Sequence, residues 1–183
     1  TALSAQNDLG NVLTESFEKG IPSTWTQEQV FGDFQWTVES GSVTRPNGVA
    51  DGTHRVAFRN QSRQTTGAIT RLISPVMDLS NVFQPILCFA HAQDKWTGDF
   101  DTLRVYYRTS AEGRWIELKK FDQHIAQWQR DTIYLTSVTK TYQIAFEATD
   151  RLGRGVVIDN VEVRSTPRCD TPYALMISGM TSK

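Results

Sequence analysis

The feature that most constrains this chain is a series of short runs in which apolar and polar residues alternate, each run bounded by turn-forming residues. In TYQIAFEA the apolar positions Tyr142, Ile144 and Phe146 fall on one face, and in DTLRVYYRTS the same holds for Leu103 and Val105. A period of two residues is the side-chain period of a β-strand. The alternation therefore predicts a chain built from strands.

Further candidate strands are spread along the whole sequence and are separated by the turn clusters RPNGVADGT, SPVMDLSN, TSAEGR and DRLGRG. They are LTESFE, FQWTV, HRVAFRN, AITRLI, RWIELKKF and WQRDTIYL, together with QPILCFAHA, which is apolar on both faces and reads as a buried central strand. Only DQHIAQW is compatible with a helical turn. Many short strands at regular spacing predict an all-β domain in which two antiparallel sheets form a sandwich.

Length and charge narrow the function classes. The 183 residues suit one domain, or one domain with a fragment of another, and the formal net charge is −1. That charge gives no basic field for holding nucleic acid, and no apolar run is long enough to span a bilayer. We therefore expect neither nucleic-acid binding nor membrane insertion.

The two ends of the sequence differ in character from its middle. The chain begins at Thr1 rather than Met, and we expect a processed product whose residues 1–12 are a leader left after removal of a secretion signal. Residues 13–165 form the predicted domain. Residues 166–183 contain Pro167, Pro172 and the strand-like YALMISGMTS. This tail is either a strand that docks on the sandwich or, as we favour, a linker and the start of another module.

The two cysteines, Cys88 and Cys169, do not have the spacing of a zinc site or of a redox pair. A disulfide between them is one interpretation. The other, which we favour for Cys88, is a small buried apolar side chain within a central strand.

Four motifs in order resemble bacterial cleaved-adhesin (choice-of-anchor) domains and MAM domains. ESFEKGIPSTW resembles the opening of the former, and GDFQWTVESGSVTRPNGVADGTHRVAF resembles the core of the latter. LISPVMDLS and YQIAFEATDRLGRGVVIDNVEV resemble a turn and the closing strands of both. The matches cover residues 14–163, and the tail motif C-x-T-P-x-x-L resembles the start of a fibronectin type III repeat.

The resemblance implies a jelly-roll β-sandwich of the MAM-like, concanavalin-like kind. Such domains are extracellular and non-catalytic, occur on secreted or surface-anchored proteins beside other modules, and contact glycans or proteins. The cysteine framework of vertebrate MAM domains is missing here, so that disulfide pattern does not carry over. We therefore expect an extracellular or cell-surface adhesion module within a longer multidomain chain.

The run GVVIDNVEV raises the question of one acid among valines. Strict alternation places Val157, Asp159, Val161 and Val163 on one face. A buried carboxylate must be protonated, paired with a cation, hydrogen-bonded by backbone or bound to a metal. The residues leave these alternatives open.

For Asp159 the resemblance points to calcium. It implies a structural ion that joins the first and last strands through Glu18 and Asp159, and Asp51 in the loop VADGTH is a third oxygen donor of the kind that calcium takes. The competing interpretation is that Asp159 only accepts hydrogen bonds from backbone N–H groups.

The loop HAQDKWTGDFD, residues 91–101, is the candidate ligand site. Loops at the ends of a sandwich commonly carry binding residues. Trp96 could stack on a sugar ring while Asp94 and Asp99 bind its hydroxyls. The alternative is that Trp96 folds back as a lid on the core, because aromatic side chains pack inward more often than they bind.

Catalysis has little support in the sequence. His54, His91 and His124 have no metal-ligand spacing, and no serine-nucleophile elbow or phosphate loop is present. We expect no enzyme. The first hypothesis is a binding module for glycans or matrix proteins, the second a spacer domain without a ligand, and the third, ranked low, a hydrolase or its ancillary module.

Overall fold

The computed structural model describes residues 10–41, 45, 48–60 and 67–167. Within them the chain forms strands and no helix. The strands are β1 (Asn11–Glu15), β2 (Thr26–Phe31), β3 (Trp36–Ser40), β4 (His54–Phe58), β5 (Ile69–Ile73), β6 (Ile86–Gln93), β7 (Thr102–Arg108), β8 (Ile116–Phe121), β9 (Ile125–Tyr134), β10 (Gln143–Thr149) and β11 (Val156–Arg164). No helix of the described residues has the length and apolar character needed to cross a bilayer.

The strands form two antiparallel sheets. The first has the order β3-β4-β11-β6-β9, and β1 also pairs with β11; the second has the order β2-β5-β10-β7-β8. The predicted all-β fold of two antiparallel sheets is confirmed. QPILCFAHA becomes β6, which lies between β11 and β9 and is buried along its whole length, as its two apolar faces indicate.

The hydrophobic core fills the space between the two sheets. Phe89 on β6 meets Phe146 on β10 edge to face, with ring centroids 5.0 Å apart, so this contact joins one sheet to the other. Trp36 is 1% exposed and its indole Nε1 donates to the Thr70 carbonyl at 3.1 Å, which satisfies the one polar atom of the ring inside the core.

β11 does not keep strict alternation, and the predicted shared face of Asp159 and the later valines is wrong. The pairing with β6 shifts register between Asp159 and Glu162, and Asn160 has a positive φ of 49°. This bulge inserts one extra residue. Val161 and Val163 therefore join the main core, whereas Val157 packs on the outer side of the sheet with Ala57 and Ala92.

β11 also exchanges partners along one edge, and this positions Asp159. Its first residues, 156–158, pair with β4, and its last, 161–164, pair with β1. Asp159 lies at the gap between these two partners. The turn after β1 and the loop before β4 meet at this gap.

Polar side chains bridge the two open sides of the sandwich. On one side the amide of Gln27, on β2, accepts from the Trp36 N–H at 2.8 Å and donates to the Trp36 carbonyl at 3.0 Å. On the other side Lys119 of β8 pairs with Asp131 of β9, whose second oxygen lies 3.0 Å from His91 Nε2. Each bridge links one sheet to the other.

Three further predictions concern a helical turn, the start of the domain and the two cysteines. The segment DQHIAQW contains no helical turn, because residues 122–124 only link β8 to β9 and Ile125 already begins β9. β1 begins at Asn11, two residues before the predicted boundary. Cys88 is buried, whereas Cys169, the tail from residue 168 and the leader up to residue 9 lie outside the described residues.

Candidate functional site

Asp159 is completely buried and accepts hydrogen bonds from backbone N–H groups. Its Oδ2 receives the N–H groups of Ala50 and Asp51 at 2.9 and 3.1 Å, and its Oδ1 receives that of Asn160 at 2.7 Å. Burial raises the pKa of the Asp159 carboxyl, and these N–H donors oppose that rise. The carboxylate thus fastens the loop before β4 to the last strand.

Glu18 holds the same loop from the opposite direction. Its carboxylate receives the Thr53 and His54 N–H groups, both at 2.9 Å, and the Thr53 hydroxyl at 2.7 Å. These hydrogen bonds, led by that of His54, lower the pKa of Glu18 to about 2. Gly52 allows the close approach, because a Cβ there would lie 2.3 Å from Glu18 Oε1.

The three predicted metal ligands converge on one loop. Asp51 belongs to this loop, and Glu18 and Asp159 accept hydrogen bonds from its backbone on either side. Carboxylate oxygens are the donors that calcium prefers, so the residues fit this ion in chemistry. Among the described residues, however, no three His, Cys, Asp or Glu side chains are grouped so that they could hold a metal by themselves.

Trp96 and Asp99 form a tight turn at the end of the sandwich where β6 passes into β7. Each donates its backbone N–H to the carbonyl of the other, at 2.7 and 2.9 Å. Trp96 is 37% exposed, so it is not a lid on the core, and the guanidinium carbon of Arg154 lies 4.3 Å from its ring centroid. Asp99 is exposed.

Asp94, the third predicted ligand residue, is 3% exposed, and its carboxylate contacts other side chains of the protein. His124 Nε2 lies 2.7 Å from its Oδ1, and Arg45 and Arg154 each place a nitrogen 3.7 Å from its Oδ2. Asp94 thus gathers basic side chains and helps to orient the arginine that covers Trp96.

An open cleft of about 470 Å³ adjoins this turn. Asp99 lines it together with Arg104, Thr149, Arg151 and Leu152. The cleft offers a carboxylate, hydroxyl groups and guanidinium groups to a ligand. It lies between the β6–β7 loop and the β10–β11 loop, which the sandwich brings to the same end.

The sequence did not identify the arginines of this end. Arg151 and Arg154 lie in DRLGRG, which only its turn character marked, and Arg104 lies within a strand. Strand order places Arg154 over Trp96 and Arg151 at the cleft that Asp99 lines, although both arginines are far from the loop 91–101 in the chain. Arg104 lines the same cleft. Two basic residues within one turn cluster were the available signal.

The three histidines are separate, and each lies beside a different carboxylate. His54 is 3.6 Å from Glu18, His91 is buried beside Asp131, and His124 is beside Asp94. Burial lowers the pKa of His91, and its neighbour Asp131 works against that shift. Each histidine thus has a structural partner.

The model of one protein family, described as "MAM domain, meprin/A5/mu", matches residues 16–170. A search among curated proteins finds no match.

This chain aligns with nearly the whole length of three solved structures that have a similar fold. The K3 cleaved adhesin domain of Lys-gingipain from Porphyromonas gingivalis W83 aligns with a TM-score of 0.64 at 20% identity, over 85% of this chain and 98% of that one. TmCBM61 in complex with β-1,4-galactotriose aligns with a TM-score of 0.62 at 15% identity, over 85% and 99%. A xylan-binding domain from CBM 22 aligns with a TM-score of 0.56 at 13% identity, over 86% and 96%. At these identities the likeness concerns the fold.

Proposed function

Because this chain belongs to the MAM domain family, we propose that it is a non-catalytic binding module of an extracellular or cell-surface protein, and that it contacts glycans through the end of the sandwich that carries Trp96 and Asp99. The observation that carries the proposal is the exposed Trp96 next to a polar cleft. An aromatic ring beside hydroxyl and charged groups suits a sugar, which has both an apolar face and polar edges.

The similar folds are consistent with this proposal. One is seen in complex with a galactotriose, one is named a xylan-binding domain and one is a cleaved adhesin domain within a larger protein. A matrix protein is the second class of ligand, since the same surface could receive a protein loop. Proteins that carry such domains are multidomain, and we propose the same for this chain.

Binding to immobilised glycans and matrix proteins tests the proposal. We expect Trp96→Ala to weaken binding by about tenfold or more, because a buried aromatic contact usually dominates such interfaces. Tyr134→Ala is the matched control, since Tyr134 is 66% exposed on the far part of β9. If neither glycans nor matrix proteins bind, or if both variants bind like the parent, the site is wrong.

We also propose that calcium reinforces the junction of the first and last strands, held by Glu18, Asp51 and Asp159. The support is the convergence of these carboxylates on one loop. An ion that binds only the folded state raises the melting temperature. We expect calcium to raise it, a chelator to reverse the rise, and Asp159→Asn to abolish the dependence. A parent protein that melts alike with calcium and with chelator would make Asp159 a hydrogen-bonded strand residue only.

A spacer without a ligand is the alternative. That hypothesis expects a buried Trp96, and the 37% exposure of this side chain favours a binding role instead.

A further inference from the structure

Three of the four acids in the segments 94–101 and 150–155, at the Trp96 end of the sandwich, are buried and have partners inside the protein. Asp94, Asp101 and Asp150 are 2–3% exposed. Asp101 receives the N–H groups of residues 151, 153 and 155 at 2.6–3.1 Å, and Asp150 receives the amide of Asn60 at 2.7 Å and the N–H of Leu152 at 3.1 Å. Their charge is directed at backbone and at internal partners rather than at the surface.

The exposed charges of the two loops beside Trp96 include more basic than acidic groups. In the segments 94–101 and 150–155, Lys95 and Arg151 are exposed, and within the described part of the chain neither side chain makes a hydrogen bond or ion pair. The Arg45 side chain is 63% exposed and that of Arg154 is 25% exposed. Asp99 is the exposed acid of these two segments.

The backbone that carries Arg151 and the side chain of Arg154 are held in place without a ligand. The loop that carries Arg151 and Arg154 is fastened by the three bonds to Asp101, and a Cβ at Gly153 would lie 2.5 Å from the Asp101 nitrogen, so the two loops are in close contact. The Arg154 N–H donates to the Asp94 carbonyl at 3.0 Å and its Nε to the Lys95 carbonyl at 3.2 Å, which keeps its guanidinium over Trp96. Binding therefore costs little ordering of the loop backbone and of the Arg154 side chain.

Taken together, the geometry points to an acidic glycan, one whose sugar rings carry carboxylate or sulfate groups, as the ligand of the Trp96 end. This inference rests on the proposed function and names its ligand class. Trp96 contacts the sugar ring, and the guanidinium groups of Arg151 and Arg154 pair with the anionic substituents, which planar guanidinium groups bind by parallel hydrogen bonds. The chain as a whole has a net charge of −1, so the basic character is local to these two loops and does not make the protein a general binder of polyanions.

The experiment compares four probes on the same protein: polygalacturonate, dextran sulfate, an uncharged β-galactan and duplex DNA. We expect polygalacturonate or dextran sulfate to bind at least about tenfold tighter than the galactan, and added salt to weaken that binding because exposed charge pairs are screened. The two acidic probes decide between carboxylate and sulfate.

Two variants assign the effect to the site. Arg151→Glu should lower affinity for the acidic glycan about tenfold and lower any affinity for the galactan by clearly less, because the galactan has no anionic group to pair with the guanidinium. Arg114→Glu is the matched control, because Arg114 is an exposed arginine in the loop between β7 and β8 at the opposite end, and it should bind like the parent.

The outcomes separate the inference from the proposed function. If no glycan binds at all, glycan binding as the proposed function fails and the inference fails with it. If the galactan binds as tightly as the acidic probes, without dependence on salt or Arg151, the function stands and the inference is overturned. Equal binding of duplex DNA, or an equal effect of the two variants, also overturns it, since the charge would then act without the site.

Discussion

Glu18 and Asp159 face the same loop, yet the protein perturbs them in opposite directions. Hydrogen bonds from His54 and Thr53 lower the pKa of Glu18 to about 2, whereas burial raises the pKa of Asp159. The difference follows from solvent. Glu18 gains donors while its side chain stays 31% exposed, whereas Asp159 gains donors but is completely buried.

The lowered pKa of Glu18 predicts a pH-dependent contribution to stability. The folded state holds Glu18 ionised well below its ordinary pKa of 4.5, so its contribution is complete above 4.5 and is lost as pH falls toward 2. We expect Glu18→Gln to lower the urea midpoint at neutral pH and to differ little from the parent near pH 2. Glu112→Gln, an exposed residue of the β7–β8 loop, should match the parent throughout. A Glu18→Gln deficit that persists undiminished near pH 2 would contradict the prediction.

For single residues, the sequence did not predict what the acids contact. The resemblance implied that Glu18, Asp51 and Asp159 share one ion; in the described residues Glu18 and Asp159 bind the backbone of the loop that contains Asp51, without forming a group that could hold a metal by itself. The N–H groups that they receive belong to backbone, which a sequence does not distinguish from one residue to the next. The arginines around Trp96 were missed for a different reason, because they converge only through strand order.

Among the elements, the strands with an inward face were predictable and β2 was not. TQEQVF has no regular alternation, since five of its six positions are exposed and it lies at a sheet edge. An edge strand is held mainly by backbone pairing, which leaves a weak sequence pattern. The bulge in β11 escaped for a related reason, because one extra residue at Asn160 changes the facing of every later side chain.

The Gln27 amide predicts how tightly β2 is joined to β3. Gln27→Met keeps the length of the side chain but leaves both the N–H and the carbonyl of Trp36 without this partner. We expect a loss of about 1–3 kcal/mol in the free energy of unfolding, measured by urea denaturation. Gln29→Met is the control, because Gln29 makes one exposed hydrogen bond to the Asp33 carbonyl. Equal losses in the two variants would show that the Gln27 bridge between the sheets stabilises the fold no more than the exposed hydrogen bond of Gln29 does.

For the whole molecule, His91 connects stability to pH because it lies between the sheets. Burial lowers the pKa of His91 below the ordinary 6.5. As pH falls below 6.5, His91 is therefore protonated in the unfolded chain before it is protonated in the folded protein. Stability contributed by neutral His91 is therefore present above 6.5 and declines below it.

We expect His91→Gln, which keeps a hydrogen-bonding side chain, to lower the overall stability but to flatten its fall between neutral pH and mildly acidic pH. Thermal melts across that range measure this slope for parent and variant. An unchanged slope would mean that His91 does not control the acid sensitivity of the fold in this range.

The pairing of β1 with β11 has a mechanical consequence. Asn11 lies opposite Arg164, so the chain enters and leaves the domain side by side, about one strand spacing apart. In a longer protein such a domain projects to the side of the chain. It adds almost nothing to the end-to-end length of that protein. Tension applied through these two ends would act at the same end of the β1–β11 ladder and peel its hydrogen bonds one after another, like a zipper, rather than shear them together. Under tension the β1–β11 pairing would therefore separate first. The junction at Glu18 and Asp159 would be the next part of the domain to oppose unfolding.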